Sequence, residues 1–350
     1  MDHKEIKIAD RIISQNHPPY VIAEMSANHN GSIENAIEII KLAKMSGADA
    51  IKIQTYKPET ITLRSSKPEF LIEGGLWDGR TLYDLYEEAH LPWEWHEKLF
   101  LIAKELGITI FSSPFDFTAV ELLESLGAPA YKVASFEATD LPLIEYIAST
   151  KKPMIISTGM ANFEEIGEAL ETAKSSGCDE IALLHCVSGY PAPHTDYNLK
   201  TILDIRREFN VLTGISDHTI SNTTSITSIA FGASIIEKHF TNSRANGGPD
   251  SSFSLEPKEL SDLVSDSKIA WEAVGEVSYD KKPSELPNIK FRRSLYYIKP
   301  LRKGTVLSKD DFKSVRPGFG LHPKHTRKII GKKLKCDISE HSPVSMDDFE

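Results

Sequence analysis

Three cysteines in 350 residues, Cys178, Cys186 and Cys336, are too few and too scattered to form a disulfide framework or a thiolate metal site. Cys186 lies in an apolar run and reads as a buried thiol. Long hydrophobic runs are missing too. None approaches the roughly 18 residues that a membrane span needs, and the charged start Met1-Asp2-His3-Lys4-Glu5 is not followed by an apolar signal region. These absences predict a cytoplasmic protein with no membrane partner. Positive charge is in deficit: the formal net charge is -10 and the pI about 5.7, which argues against nucleic acid as the main partner. No Gly-x-Gly-x-x-Gly follows an apolar run, so the dinucleotide fingerprint is lacking, and no heptad pattern is visible.

What is present is alternation. Over the first three quarters of the chain, β-rich runs at residues 21–27, 50–56, 108–114, 130–135, 154–158, 181–187, 211–216 and 235–240 alternate with helical patterns. Helices are predicted at residues 35–46, 93–106, 118–125, 141–149, 163–175, 199–208, 222–231 and 257–274, and several stop at a glycine, such as Gly47, Gly107 and Gly177. Eight βα repeats predict an α/β chain closed into a (β/α)₈ barrel of the TIM type. One connection, residues 57–92, is far longer than such loops usually are and carries Trp77, Tyr83 and Tyr86. It reads either as a packed excursion over the barrel edge or as a lid that contacts substrate. Residues 279–290, polar with two prolines, read as a linker between a catalytic domain at 1–278 and a small module at 291–350. Some 60 residues make a marginal core alone, so the module is expected to dock on something.

Barrel chemistry collects at the carboxyl ends of the strands. Two histidines end the last two runs, His218 after Ser216-Asp217 and His239 after Glu237-Lys238. With residues alternating along a strand, Ser216 is expected to share a face with His218, and Glu237 with His239. Two imidazoles converging there suggest a divalent metal with open positions, against the commoner case of a buried structural histidine. Other strand ends supply Glu24, Lys52, Gln54, Ser113, Lys132, Ser135, Ser188 and Tyr190, and Asp250 follows the last strand. Lysines inside a barrel are costly unless they meet an anion. Lys52 and Lys132, with the hydroxyls of Ser113, Ser135 and Ser216, fit a phosphate and carboxylate cradle. A Schiff-base lysine and a structural ion pair with Glu24 or Glu237 are the alternatives. Glu24 and Asp250 are candidates for proton transfer or for gripping sugar hydroxyls.

These residues lie in motifs that resemble those of the sialic acid synthase family. The matching stretches are Ile22-Ala23-Glu24-Met25-Ser26-Ala27-Asn28-His29-Asn30-Gly31, Ile51-Lys52-Ile53-Gln54-Thr55, Tyr131-Lys132-Val133-Ala134-Ser135, Ser216-Asp217-His218-Thr219, Glu237-Lys238-His239-Phe240 and Val315-Arg316-Pro317-Gly318-Phe319-Gly320. The likeness runs in order along nearly the whole chain. It implies a barrel followed by a small C-terminal antifreeze-like (SAF) domain, and condensation of phosphoenolpyruvate with an open-chain amino-sugar aldehyde, releasing phosphate. His218 and His239 match metal ligands for Mn²⁺, Mg²⁺ or Co²⁺. Lys52, Ser113, Lys132, Ser135, Ser188 and Ser216 match phosphoenolpyruvate contacts, although Ser188 stands where the family typically has asparagine. Glu24, Gln54, Tyr190, Glu237 and Asp250 match sugar-side positions, Glu24 being the candidate for handling a proton at the aldehyde. Arg316 matches an arginine that reaches the partner's barrel in a domain-swapped homodimer. Gly75-Leu76-Trp77-Asp78-Gly79 and Pro92-Trp93-Glu94-Trp95-His96 resemble the branch that makes pseudaminic acid from 2,4-diacetamido-2,4,6-trideoxy-L-altrose. Relatives making legionaminic or N-acetylneuraminic acid, a class I aldolase using Lys132, and a non-catalytic sugar or anion binder are the rival readings.

Overall fold

The computed structural model describes residues 4–350. The chain divides into two units, residues 1–275 and 276–350. The first contains ten strands and ten helices that matter here. A hairpin of β1 (Ile6–Ile8) and β2 (Arg11–Ile13) precedes the barrel strands β3 (Tyr20–Glu24), β4 (Ala50–Thr55), β5 (Thr109–Pro114), β6 (Tyr131–Val133), β7 (Met154–Ser157), β8 (Ile181–Cys186), β9 (Leu212–Ser216) and β10 (Ile235–His239). All barrel neighbours are parallel, and β10 pairs with β3 to close the ring. The helices are α1 (Ile33–Met45), α2 (Pro58–Ile61), α3 (Leu82–Ala89), α4 (His96–Leu106), α5 (Phe117–Ser125), α6 (Leu141–Ser149), α7 (Phe163–Ser175), α8 (Lys200–Phe209), α9 (Thr223–Ile229) and α10 (Pro257–Val274). Their starts follow local chemistry: Ser32 and Asp116 cap α1 and α5, and Asn162 with Glu165 forms a capping box on α7.

Strand parity places the site. Outward residues such as Ile51, Ile53, Val133, Ile156, Leu183 and Ile215 pack under the helices. Inward residues are apolar near the start of each strand: Ile22, Ala50, Phe111, Ala130, Ile155, Ala182, Leu212 and Ile235 form one cluster. Two residues further along, the same face turns polar, to Glu24, Lys52, Ser113, Lys132, Ser157 and Glu237. Gly214 is needed at the crowded level between, where a Cβ would collide with the Ile235 carbonyl and the Leu184 side chain. The hairpin, which the sequence reading missed, adds Ile6, Ile8 and Ile13 to the apolar cluster and closes the barrel's lower end.

Three expectations need correction. The first barrel strand stops at Glu24, because Ser26 adopts a left-handed φ of 45° and starts a 3₁₀ turn. β9 stops at Ser216, so strand alternation does not place His218. Residues 279–290, read as a linker, belong to the second unit and include most of a 3₁₀ helix, Pro283–Phe291, begun by proline and capped by Glu285 on the Lys282 amide at 3.0 Å.

The second unit pairs β11 (Ser294–Tyr297) with β12 (Phe312–Val315) in antiparallel register and carries α11 (Thr326–Ile329). Leu295, Tyr297, Leu307, Ile329, Leu334 and Val344 make its core. Gly320 sits against the backbone of Leu295 and Val344 so closely that no side chain fits, which accounts for one glycine of the Arg316–Gly320 motif.

Candidate active site

Three buried charges meet at the ends of β3, β4 and β10. Lys52 Nζ lies 2.7 Å from Glu24 Oε2 and 3.9 Å from Glu237 Oε1. It also donates to the Ser113 hydroxyl at 3.3 Å, while Ser216 donates to Glu237 at 3.2 Å and Gln54 to Glu24 at 3.0 Å. Of the roles weighed for Lys52, the ion pair is therefore formed in this structure. Burial pushes the Glu24 carboxyl up to about 7 against the pull of Lys52. Glu237 goes the other way: burial opposes its charge, but the Lys132 and Lys52 ammoniums hold it below the ordinary carboxylate range. Two carboxyls in one pocket are thus set apart, one able to carry a proton at neutral pH and one ionised.

Lys132 has no such partner. It is 2 % exposed, donates to Ser157 Oγ at 2.7 Å and to the Val133 carbonyl at 3.0 Å, and has no carboxylate at ion-pair distance among the described residues. Burial pulls it below the ordinary lysine value, although Glu237 opposes this. Beside it Ser135 and Ser188 share a hydrogen bond of 2.9 Å. Gly159, just after β7, leaves room for them; a Cβ there would run into the Ser188 hydroxyl and the Ser135 side chain. A buried ammonium bonded to a hydroxyl and a carbonyl, with no carboxylate in contact, has the chemistry to meet an anion. Glu137, on the turn after β6, is a second carboxyl that burial pushes up to about 7 against Lys132, and its Oε2 is buried without a hydrogen-bond partner.

The histidines converge: their ring centroids are 5.4 Å apart. His218 is held by its backbone, whose N–H donates to the Tyr197 hydroxyl at 2.7 Å and whose carbonyl accepts from Ala192 at 3.0 Å. With Nδ1 2.8 Å from the Val187 carbonyl and donating to it, Nε2 is the ring nitrogen left to face a ligand. His239 Nδ1 is buried without a hydrogen-bond partner and lies 3.8 Å from Asp250 Oδ2. Burial, helped by His218 and Lys52, pushes His239 well below the ordinary histidine value, so the ring is neutral. His218 goes the other way: burial opposes its charge, but Cys186 and the Val187 carbonyl raise it above the ordinary histidine value, so a divalent cation held by the two rings would displace a proton from it. Among the described residues no group of three or more His, Cys, Asp or Glu has metal-holding geometry, so the pair would leave most positions to other ligands.

The Tyr190 ring lies 4.4 Å from His218 and 5.5 Å from Phe253. The long 57–92 connection folds over this wall. Trp77 comes within 5.8 Å of Tyr190 and its indole N–H donates to the Pro249 carbonyl at 3.0 Å, next to Asp250. Tyr86 packs edge-on against Tyr56, 5.8 Å away.

The structure gathers Glu24, Lys52, Gln54, Ser113 and Glu237 into one network with Ser216. It also joins Ser135 to Ser188, and His218 and His239 to Tyr190 and Asp250 through their rings and the His239–Asp250 contact. Arg316 belongs to the second unit, where it is exposed. Sequence reasoning passed over Ser157, Gly159, Glu137 and the pair Asp217–Lys238. Ser157 was available from parity, since it follows Ile155 on the inward face of β7.

Fold and site together define a TIM-barrel enzyme with an anion cradle and an imidazole pair at one mouth. The chain belongs to the NeuB family, which residues 39–279 match, and residues 292–350 match the SAF domain. It is 45% identical over 331 residues to the pseudaminic acid synthase of Campylobacter jejuni subsp. jejuni serotype O:2, covering 95% of this chain and 96% of that protein. To the pseudaminic acid synthase of Helicobacter pylori it is 43% identical over 334 residues, 95% of this chain and 98% of the other. A solved structure of the N-acetylneuraminic acid synthetase from Leptospira borgpetersenii serovar Hardjo-bovis superposes with a TM-score of 0.74 at 30% identity, over 82% of this chain and 95% of that one. No helix is long and apolar enough to cross a membrane among the described residues.

Proposed function

We propose that this protein condenses phosphoenolpyruvate with 2,4-diacetamido-2,4,6-trideoxy-L-altrose and water, giving pseudaminic acid and phosphate. The observation that carries the reading is Lys132, a buried ammonium bonded to the Ser157 hydroxyl and a backbone carbonyl rather than to a carboxylate. The likeness to pseudaminic acid synthases supports the choice of sugar.

Lys132 with Ser157, Ser135 and Ser188 grips the anionic end of phosphoenolpyruvate, and Lys52 adds positive charge on the other side. Its enol carbon forms a bond to the aldehyde carbon, and the aldehyde oxygen takes a proton from Glu24, whose raised pKa keeps one available. Water adds to the resulting cationic carbon, and a buried carboxylate, Glu137 in our assignment, accepts the proton. Breaking the C–O bond then expels phosphate, which takes the intermediate's hydroxyl proton, and leaves the keto acid. A divalent cation, Mn²⁺, Mg²⁺ or Co²⁺, held by His218 and His239 would supply Lewis-acid polarisation of the aldehyde oxygen. Tyr190, Asp250 and the Trp77 lid line the sugar side. Arg316 we assign to the sugar side of a second copy's barrel, in a homodimer.

The test is phosphate release with Mn²⁺ and three aldehydes in parallel: the altrose sugar, its mannose-configured isomer and N-acetylmannosamine. Turnover confined to the altrose sugar supports the proposal, and a chelator should abolish it until Mn²⁺ is returned. Preference for another sugar moves the assignment within the family. No release from folded, Mn²⁺-supplied protein overturns it.

A further inference from the structure

The most completely buried ion pair in the barrel unit touches neither the cradle nor the imidazoles. Lys238 Nζ lies 3.1 Å from Asp217 Oδ2, and both side chains are fully shielded from solvent. Each residue sits one position off an inward-facing one. Lys238 falls between Glu237 and His239 on β10 and so points back toward the helices, and Asp217, just past the end of β9, turns the same way to meet Ser225 of α9.

The polar atoms of both side chains are all bonded, and most of their partners belong to the segment that carries His218. Lys238 also donates to the carbonyls of Thr219, at 2.6 Å, and Ser221, at 3.1 Å. Asp217 accepts from the Thr219 amide at 2.8 Å and from the Ser225 hydroxyl of α9 at 2.5 Å. Its own amide bonds to the Glu237 carbonyl at 2.9 Å. The Tyr197 hydroxyl, from the other side, donates to the Ser216 carbonyl at 3.1 Å and accepts the His218 amide. The backbone on both sides of Asp217 is therefore pinned.

This brace matters because β9 has already ended. His239 is fixed by the ladder with β3, where it stands opposite Glu24. His218 has no ladder: the Asp217 and Lys238 bonds, with that of Ser216 to Glu237, tie its turn to β10, while Tyr197, Ala192 and the Val187 carbonyl tie it to the segment after β8. A buried ion pair adds little net stability over an apolar pair of similar size, whereas it is demanding about geometry. We propose that Asp217, Lys238 and Tyr197 are positioning residues that set the separation of the two imidazoles, and so determine affinity for a divalent cation. The inference rests on the metal reading above.

The experiment measures Mn²⁺ binding to metal-free protein by titration calorimetry, with phosphoenolpyruvate affinity and thermal unfolding measured alongside. Tyr197→Phe and Ser225→Ala each delete hydroxyl bonds while keeping charge and packing, and should fold. Lys238→Met removes the ammonium and is the severe case. Expected losses in Mn²⁺ affinity are about tenfold for Tyr197→Phe and more for Lys238→Met, the usual range for groups that orient metal ligands. Phosphoenolpyruvate affinity should stay within about twofold of wild type, because Lys132 and its hydroxyls are untouched. Folded Tyr197→Phe and Ser225→Ala proteins that bind Mn²⁺ like wild type would overturn the proposal, as would equal losses in Mn²⁺ and phosphoenolpyruvate affinity. A wild-type protein that binds no divalent cation would instead remove the metal reading, and the brace role with it.

Discussion

Replacing Glu24 with glutamine tests the site most directly, because it fixes permanently the neutral form that burial favours. In the folded chain the carboxyl titrates at about 7, against an ordinary value of 4.5. A rise of that size corresponds to on the order of 3 kcal/mol of preference for the protonated form. Below pH 4.5 the group is protonated in folded and unfolded chains alike, and its contribution to stability is fully present. As pH climbs toward 7 the unfolded chain sheds the proton first, and the contribution is lost. Glu24→Gln cannot lose a proton, and Lys52 keeps Glu237 at 3.9 Å as a counter-charge. Wild type should therefore lose stability relative to the variant between pH 4.5 and 7, by on the order of 3 kcal/mol, with a constant difference above. Urea unfolding of both proteins, followed by tryptophan fluorescence at pH 5, 6, 7 and 8, reads this difference and cancels the parallel titration of Glu137. Turnover, measured as phosphate release, should fall by roughly 10²–10⁴-fold, the usual contribution of a positioned acid, with phosphoenolpyruvate binding nearly unchanged. Parallel stability curves would refute the burial argument, and undiminished turnover would refute the proton-transfer role.

Other substitutions separate the remaining parts. Lys132→Met should abolish phosphoenolpyruvate binding in calorimetry and, by removing the ammonium that holds Glu237 ionised, should also raise the Glu237 pKa, with thermal unfolding read alongside to show that the variant folds; borohydride with a carbonyl substrate should trap nothing on wild type. Gly159→Ala forces the Ser188 hydroxyl aside and should raise the KM for phosphoenolpyruvate by about tenfold, the worth of one or two hydrogen bonds. Trp77→Phe deletes the bond to the Pro249 carbonyl and should raise the KM for the sugar by roughly 2–10-fold, with the KM for phosphoenolpyruvate unmoved.

The barrel was legible because its strands are apolar on both faces and are separated by capped helices, a pattern that an open sheet without a glycine fingerprint does not explain. Strand ends were harder. Nothing in the Met25–Asn28 run announces the left-handed Ser26, and the hairpin strands, three residues each, are too short to show a period. Candidate site residues were legible where parity and residue type agreed, as at Lys52 and Glu237. Glu137 escaped because it sits on a turn, where no parity exists. The Asp217–Lys238 pair escaped for another reason: the parity of Lys238 points away from the mouth, and a charged residue facing helices is legible only once its partner is known. The two roles of the lysines could not be told apart from sequence, since ion pair and empty cradle differ by which carboxylate happens to stand within reach.

The apolar floor made by the amino-terminal hairpin turns the barrel into a vessel open at one end. Ile8, Ile13 and Phe111 leave no wet route through it. Substrates, water and products must all pass the same rim, which the Trp77 lid overhangs. Traffic through a single doorway has an order: under the proposed reaction, phosphoenolpyruvate would bind at Lys132 before the sugar, and phosphate would leave after the product.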